Sequence, residues 1–491
     1  MAEVVNAFAT LLSPENLLWI IAGVLVGTVF GAIPGLTATT GIALFLPLTF
    51  SMDFTQSMAF LLGIYTSGFW SGSIPAILVN TPGAPGNAAT VFDGYPMAKQ
   101  GRAGDALGFS ILSSFIGGII SAIALYFLAS YISKIAINIA SPEYFSLGVL
   151  ALVSIGAVSG ENFTKGIAAG SIGVFLSTIG IDPILGTPRL TFDIVPLLSG
   201  IAIIPALVGL FAVTEVFIRL EHNNKEESTI ALQKTKNTFM LLKEMLEHKW
   251  VLFKSVLIGI LIGALPGTGP GVASFIAYNE AKRSSKKPET YGKGNVGGVI
   301  SVESSNNAVT GGALIPLLTL GIPGDTVTAI LIGALIIQGI QPGPSFIVEN
   351  YDLFTNILAI LVISNILMLV VGLFGSKLFP LILKIRTEIL MPVLMVVMVA
   401  GGYAYNHSLF DIQILMILGI IGYFMYKFGF PIPPLVIGLV LGPIVETNFR
   451  RALLANDMDV TIFFTRPISL TILLLTIVIT FFILKMNKQS Y

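Results

Sequence analysis

The sequence predicts an all-α polytopic membrane protein made of two inverted-topology repeats, each with a re-entrant hairpin and a broken helix, and about ten or eleven crossings in all. Three observations predict it. Of 491 residues, 54% are hydrophobic and 11% charged, with mean hydropathy +0.89, too little charge to coat a soluble domain of this size. Pro-Gly pairs interrupt the apolar runs at matching places in the two halves. Basic residues gather beside some runs and are missing beside others, which sets their orientation.

The chain opens with Val4, Phe8, Leu11 and Leu12 on one helical face, expected as a short interfacial helix. The first basic residue is Lys99, so a cleavable signal peptide is not expected. Residues 17–50 are apolar but broken at Pro34-Gly35, and residues 250–278 are broken at Pro266-Gly267. At a constant offset of 232, Gly27, Gly31, Ala32, Pro34 and Gly35 meet Gly259, Gly263, Ala264, Pro266 and Gly267. The second run follows Lys225, Lys234, Lys236, Lys243 and Lys249 and precedes Lys282, Arg283, Lys286, Lys287 and Lys293. Both its flanks therefore lie in the cytoplasm and the run re-enters as a hairpin. The first run has no basic flank and is expected to enter from outside, which inverts one half relative to the other.

Residues 56–91 form a second broken segment, ending inside before Lys99 and Arg102. Spans are expected at 106–130, 144–159, 166–181 and 194–218, giving the odd number of crossings that inversion requires. In the second half 296–337 is the other broken segment, with spans at 354–374, 389–403, 412–426 and 434–445. Lys377, Lys384, Arg386 and Lys427 fall on inside loops, whereas Arg450 and Arg451 fall outside, against the charge rule. A last helix, 468–484, ends at Lys485 and Lys488. The organisation is thus a first repeat at 1–218, a cytoplasmic linker at 219–249 whose Phe239, Leu242 and Leu246 could lie on the inner leaflet, a second repeat at 250–449, and a C-terminal helix and tail at 450–491. The C-terminus is expected in the cytoplasm and the N-terminus in the periplasm.

The second pair of breaks corresponds too. At an offset of 241, Ile74, Pro75, Pro82 and Gly83 meet Ile315, Pro316, Pro323 and Gly324, so NTPGAPGNAAT from Asn80 pairs with GIPGDTVT from Gly321. Polar, small-residue stretches precede them, YTSGFWSGS from Tyr65 and ESSNNAVTGG from Glu303. Proline withdraws a donor and glycine weakens the helix, and backbone groups freed within a bilayer must face protein, water or a ligand. The four breaks are therefore expected to line one midplane site. Expected substrate contacts are Pro34, Gly35, Thr37, Thr39, Thr40, Asn80, Thr81, Asn87, Pro266, Gly267, Thr268, Ser305, Asn306 and Asn307, because helix N-termini and hydroxyl or amide donors suit carboxylates. Thr66, Ser67, Ser304, Asp325 and Thr326 are the expected cation-coupling residues, oxygens suited to Na+, with Asp325 the ionisable member. Glu303 has a weaker claim, since it could pair with a nearby lysine.

Each feature also has a plainer reading. The GxxxG pairs at Gly27/Gly31 and Gly259/Gly263 suit close helix packing, a lone Pro-Gly suits a kink, and a lone Ser or Thr suits a bond to its own helix. Duplication at fixed offsets favours the site. The breaks contain no Lys or Arg, so a multiply charged anion would need backbone dipoles and co-bound cations for balance.

These residues resemble a family. GAIPGLTATTGIALFLPLTF from Gly31, SGSIPAILVNTPGAPGNAATVFDGYPMAKQGRAGDALG from Ser71, GALPGTGPGVASFIAY from Gly263 and GALIPLLTLGIPGD from Gly312 closely resemble the large membrane subunit of the tripartite tricarboxylate transporters. The resemblance implies a secondary transporter of the bacterial inner membrane taking up citrate-like carboxylates with Na+ or H+ as coupling ion. It also implies a small membrane subunit and a periplasmic solute-binding protein as partners, and leaves room for a homodimer. Paired hairpins are similar to elevator-type carriers, an analogy of architecture.

Two other classes compete. The same broken helices could line a solute or ion channel, which counterflow in vesicles would distinguish from a carrier. An enzyme is disfavoured: there is no cysteine, His222, His248 and His407 lie in or beside polar loops, and no paired carboxylates or Ser/His/Asp set stands at the breaks. No metal centre and no organic cofactor are expected. Gly292-Lys293-Gly294 lacks the upstream glycine of a phosphate-binding loop, and zero net charge gives no argument for nucleic acid.

Overall fold

The computed structural model describes residues 2–136, 139–158, 163–221, 237–383, 385 and 387–488. Of the expected linker, 222–236 with His222, Lys225, Lys234 and Lys236 lies outside the described residues, as do Lys384 and Arg386. Helix α1 (Ala2–Leu11) leads into α2 (Pro14–Ala32), where Pro14 supplies the φ of a first turn. The chain reverses at Ile33-Pro34-Gly35, with Gly35 at φ +81. Capped by Thr37, α3 (Ala38–Phe45) then folds back on α2 through the Phe30 and Phe45 rings, 5.9 Å apart. Asp53 caps α4 (Phe54–Ser71), which bends at Gly72 into α5 (Ser73–Leu78). The backbone unwinds after Val79, makes a 3-10 turn at Pro85–Asn87, and resumes as α6 (Thr90–Met97). Three further helices follow, α7 (Ala103–Ala136), α8 (Ser141–Val158) and α9 (Phe163–Ser177). A short antiparallel ladder of β1 (Gly180–Ile181) and β2 (Pro188–Arg189) precedes α10 (Ile203–Leu207), which continues through a π-turn into α11 (Thr214–Glu221).

The second half also opens with a hairpin followed by a broken segment. After α12 (Thr238–Glu247), α13 (Lys249–Gly263) and α14 (Gly269–Ser284) form a hairpin around Gly267, φ +76. The long α15 (Val296–Leu320) is ended by Gly321 in the left-handed region, and the chain unwinds until Asp325 caps α16 (Thr326–Ile337). Then come α17 (Phe346–Glu349), α18 (Tyr351–Phe374), α19 (Phe379–Ile382), α20 (Thr387–Asn406), α21 (Leu409–Lys427), α22 (Ile432–Leu454), α23 (Ile462–Thr465) and α24 (Pro467–Lys488). Among the described residues six helices are long and apolar enough to cross a membrane, and several shorter apolar ones accompany them. The chain is a multi-pass helical membrane protein.

Packing also repeats. α2 lies along α4 as α13 lies along α15, α4 meets α18 as α15 meets α7, and α9 runs against α22 as the α10–α11 segment runs against α21. Two groups of helices result, one holding both hairpins and both breaks, the other made of α8 to α11 and α20 to α24. They meet where α3 touches the π-turn and α20, and where α16 touches α10 and α22. The GxxxG glycines bring helices together: a Cβ on Gly27 would strike Ser67 and Ile64, and one on Gly259 would strike the Ser305 carbonyl.

Several details differ from expectation. The helix placed at 194–218 starts at Ile203, because Pro188 pairs in the ladder, Pro196 opens a 3-10 turn, and Gly200 at φ +78 breaks the chain. The helix placed at 434–445 runs on to Leu454. Its Arg450, which the sequence leaves against the charge rule, is paired with Asp182 at 2.7 Å and Glu446 at 3.1 Å. In α1 the buried face is Ala7 and Leu11, while Leu12 is exposed. On α12, Leu241 and Met245 pack inward and Phe239, Leu242 and Leu246 remain exposed, so its apolar residues divide between two faces.

Candidate substrate and cation site

The breaks meet across the two halves. Thr39, in the first turn of α3, lies against Thr326, the first residue of α16, with their hydroxyls 3.2 Å apart. At the matching place in the other half, a Cβ on Gly271 would sit 3.4 Å from Pro85 Cβ, and Pro270 packs against Gly86. The second hairpin also approaches the second break, since a Cβ on Gly269 would lie 3.8 Å from Asp325 Cβ. Helix N-termini of one half thus face those of the other, which concentrates unpaired N–H dipoles in one region.

The long helices α4 and α15 reach into this region with their corresponding side chains. From α4, Tyr65 donates to Asp325 Oδ2 at 2.6 Å. Asp325 Oδ1 accepts the Thr328 N–H at 2.7 Å and the Thr328 hydroxyl at 2.8 Å, a reciprocal cap on α16. Its carboxylate is therefore engaged on both oxygens. From α15, Asn306 donates to the Phe69 carbonyl at 2.9 Å and Asn307 to the Thr66 carbonyl at 3.1 Å. Asn87 donates to Phe69 O as well, at 3.1 Å, and to Glu303 Oε1 at 3.3 Å.

Glu303 stands at the centre of a neutral polar cluster. Thr90 donates to Oε1, and Ser110 and Ser114 donate to Oε2 at 3.2 and 3.3 Å. The side chain is wholly buried, and among the described residues no Lys, Arg or His forms an ion pair with it. The lysine partner envisaged from the sequence is replaced by hydroxyl and amide donors.

Other expected site residues are engaged locally. Thr66 and Ser67 donate to carbonyls of α4, Ser304 and Ser305 to carbonyls of α15, and Thr268 to the carbonyls of Ile262 and Leu265 in its own hairpin. Thr37 and Thr40 bond each other in the α3 cap. Asn80, at φ +59, and Thr81 are exposed, outside the buried cluster. Pro266 and Gly267 are buried at their hairpin tip, whereas Pro34 and Gly35 meet Arg219 of α11: its Nη2 donates to Pro34 O and its Nε to Glu215 at 2.8 Å. A cation thus reaches one break after all, brought by a helix distant in sequence.

A further buried carboxylate, Asp93, lies outside the set expected from the sequence. Its Oδ1 accepts the N–H groups of Gly292, Gly294 and Asn295 at 2.9, 2.8 and 2.7 Å, and its Oδ2 accepts the Tyr278 hydroxyl at 3.0 Å, tying α6 to the loop before α15. Only the glycines of that loop, free to adopt φ +86 and +97, hint at such a turn in the sequence.

Residues 17–437 match the tripartite tricarboxylate transporter TctA family. A 52.8 kDa uncharacterized protein from the TAR-I ttuC' 3' region of Agrobacterium vitis is 36% identical over 466 residues, covering 95% of this chain and 92% of that protein. A second uncharacterized protein, from the TAR-II ttuC' 3' region of the same organism, is 39% identical over 202 residues, 41% of this chain and 84% of that one. No solved structure matches. With the match running through both hairpins and both breaks, the chain belongs to the tripartite tricarboxylate transporter TctA family.

Proposed function

We propose that the chain is the large permease subunit of a cation-coupled uptake system for di- or tricarboxylates in a bacterial inner membrane, working with a small membrane subunit and a periplasmic solute-binding protein. The observation that carries the reading is the meeting of Thr39 with Thr326 and of Gly271 with Pro85, which brings helix N-termini from both halves together in one partly exposed region. There the carboxylates of the substrate take backbone N–H groups at Pro34-Gly35 and Pro266-Gly267 and side-chain donors from Thr39, Asn87 and Asn306. Arg219 adds a counter-charge beside the first tip. The two repeats are inverted in the membrane, and the helix group bearing the breaks moves against the group of α8 to α11 and α20 to α24, in the manner of an elevator. The α3–α20 and α16–α22 contacts are the surfaces that slide.

The test is uptake of labelled citrate into proteoliposomes holding the full complex with loaded binding protein, Na+ and pH gradients being imposed separately. Accumulation against a gradient, driven by one of the two ions, is expected; passive equilibration alone contradicts the reading.

A further inference from the structure

We propose that Glu303 is the proton-coupling group of this transporter, taking up one proton on Oε2 in each transport cycle. The inference rests on the transport reading and narrows its coupling ion to the proton. Glu303 is wholly buried in α15, and among the described residues no cation pairs with it. Thr90 and Asn87 donate to Oε1, Asn87 at 3.3 Å, while Ser110 and Ser114 donate to Oε2 at 3.2 and 3.3 Å. A carboxylate cut off from water and without a counter-charge keeps its negative charge only at a large cost, which one proton removes. A ring of donors leaves no lone pairs for a metal ion but suits a carboxyl group in either protonation state.

The titratable groups on neighbouring elements are turned to other partners. Asp93 of α6 bonds Tyr278 and the loop before α15, and Tyr95 lies under Lys99. Asp105 of α7 pairs with Arg102, and Lys254 of α13 with Glu280 of α14. His248 stands beside Gly297 in the first turn of α15, and Asp325 bonds Tyr65 of α4.

The donors to Oε2 can also make room for the proton. A hydroxyl both donates and accepts, so it can turn from donor to acceptor when its own hydrogen has another place to go. Ser110 has such a place: its Oγ lies 2.6 Å from Ser73 Oγ, a pair in which either atom can donate. Ser114 has another, the Glu303 main-chain carbonyl at 3.4 Å. With Glu303 ionised, Ser73 donates to Ser110, and Ser110 and Ser114 donate to Oε2. With Oε2 protonated, its O–H donates to Ser110, Ser110 donates to Ser73, and Ser114 turns to the carbonyl. Both states are satisfied with the helices where they stand. The step takes one proton from the aqueous phase, forms one O–H bond on Oε2 and leaves the group neutral.

Asn87 ties this proton to the substrate. Its amide gives one N–H to Phe69 O at 3.1 Å and the other to Oε1, so both are occupied while Glu303 is ionised. A neutral carboxyl accepts more weakly than a carboxylate, and on protonation the second N–H becomes available to a substrate carboxylate, the role given to Asn87 above. Protonation also removes the like charge that stands behind that amide. Proton and carboxylate therefore favour each other's binding, which is the linkage a coupled cycle needs.

The experiment is infrared titration of the purified full chain, following the carbonyl stretch of protonated carboxyl groups as pH is lowered, together with uptake by proteoliposomes holding the full complex. The wild type is expected to gain a band that is absent from Glu303→Gln and kept by the exposed Asp459→Asn. Thr90→Val removes a donor that favours the ionised form, and should move the midpoint of that band by about one pH unit to the alkaline side. That variant decides where Glu303→Gln fails to fold, as judged by elution and circular dichroism. In proteoliposomes a pH gradient should drive citrate accumulation by the wild type and not by Glu303→Gln. A band that survives Glu303→Gln unchanged, or a midpoint that Thr90→Val leaves in place, overturns the proposal. A Glu303-dependent band in a complex that moves no citrate supports the protonation step and contradicts the transport reading; citrate accumulation driven by sodium alone does the reverse.

Discussion

Tyr65 and Asp325 join the two halves of the molecule: the tyrosine hydroxyl, on α4, donates to the carboxylate that caps α16, at 2.6 Å and out of contact with solvent. Tyr65→Phe removes that donor and leaves a buried carboxylate oxygen unsatisfied. It should destabilise the protein by about 1–3 kcal/mol in reversible unfolding. Asp325→Asn keeps a capping acceptor for the Thr328 N–H and should be milder than Asp325→Ala, which costs about 1 kcal/mol for the cap alone. If Asp325 also couples a cation, Asp325→Asn weakens the cation dependence of uptake; an unaltered ion stoichiometry leaves it as a helix cap.

Arg219 makes a prediction that can be read in kinetics. Its fork bridges Glu215 and the Pro34 carbonyl, so Arg219→Lys keeps a charge but cannot hold both partners. Uptake by Arg219→Ala should show a raised KM for tricarboxylates and a smaller rise for monocarboxylates. Equal effects on both would assign Arg219 to shaping the tip.

Asp93 gathers three backbone N–H groups and the Tyr278 hydroxyl on one carboxylate. Asp93→Ala deprives all of them at once, and a loss of about 3 kcal/mol is expected. Amide exchange at Gly292, Gly294 and Asn295 should then quicken at least about tenfold, while amides in α22 keep their protection.

Asp182 predicts a pH dependence in the loop ahead of α10. Backbone N–H groups of Leu185 and Ile184, with Arg450 beside them, hold its carboxyl well below the usual carboxylate range. A carboxyl depressed in the folded state contributes stability above its unfolded pKa of about 3.9, and that contribution is lost as pH falls through the folded value. The protection factors of the Ile184 and Leu185 amides, the observed exchange rate set against the intrinsic rate at each pH, should therefore be flat from neutrality down to about pH 4 and fall below it. In Asp182→Asn the acid-dependent step should vanish.

Much of this architecture was legible in the sequence, because a membrane leaves few options. Apolar runs must become helices, and Pro-Gly at matching offsets marks where they cannot continue, so the breaks at Pro34, Asn80, Pro266 and Gly321 fall where the chain does reverse or unwind. What stayed hidden depends on residues distant in sequence. Arg219 lies 185 residues from Pro34 and has no motif linking it to the hairpin. Glu303 has the weaker claim in the sequence because its partners, Asn87, Thr90, Ser110 and Ser114, look like ordinary small polar residues until the helices converge. Asp325 followed by Thr328 was readable as a cap, since an acceptor at the N-cap and a hydroxyl three residues on satisfy each other. The ladder at 180–189 escaped notice because Ile181, Leu185, Leu190, Phe192 and Ile194 are as apolar as the spans beside them, although all are exposed.

The junction of the first hairpin with the second break offers the most direct test. Because the chain has no cysteine, Thr39→Cys with Thr326→Cys introduces the only two thiols, at positions whose hydroxyls are 3.2 Å apart. Mild oxidation should cross-link them within one chain, stop citrate uptake in proteoliposomes, and be slowed by bound citrate, with full recovery on reduction. A cross-linked protein that transports at the normal rate would show that the breaks are not the substrate's path and would contradict the account.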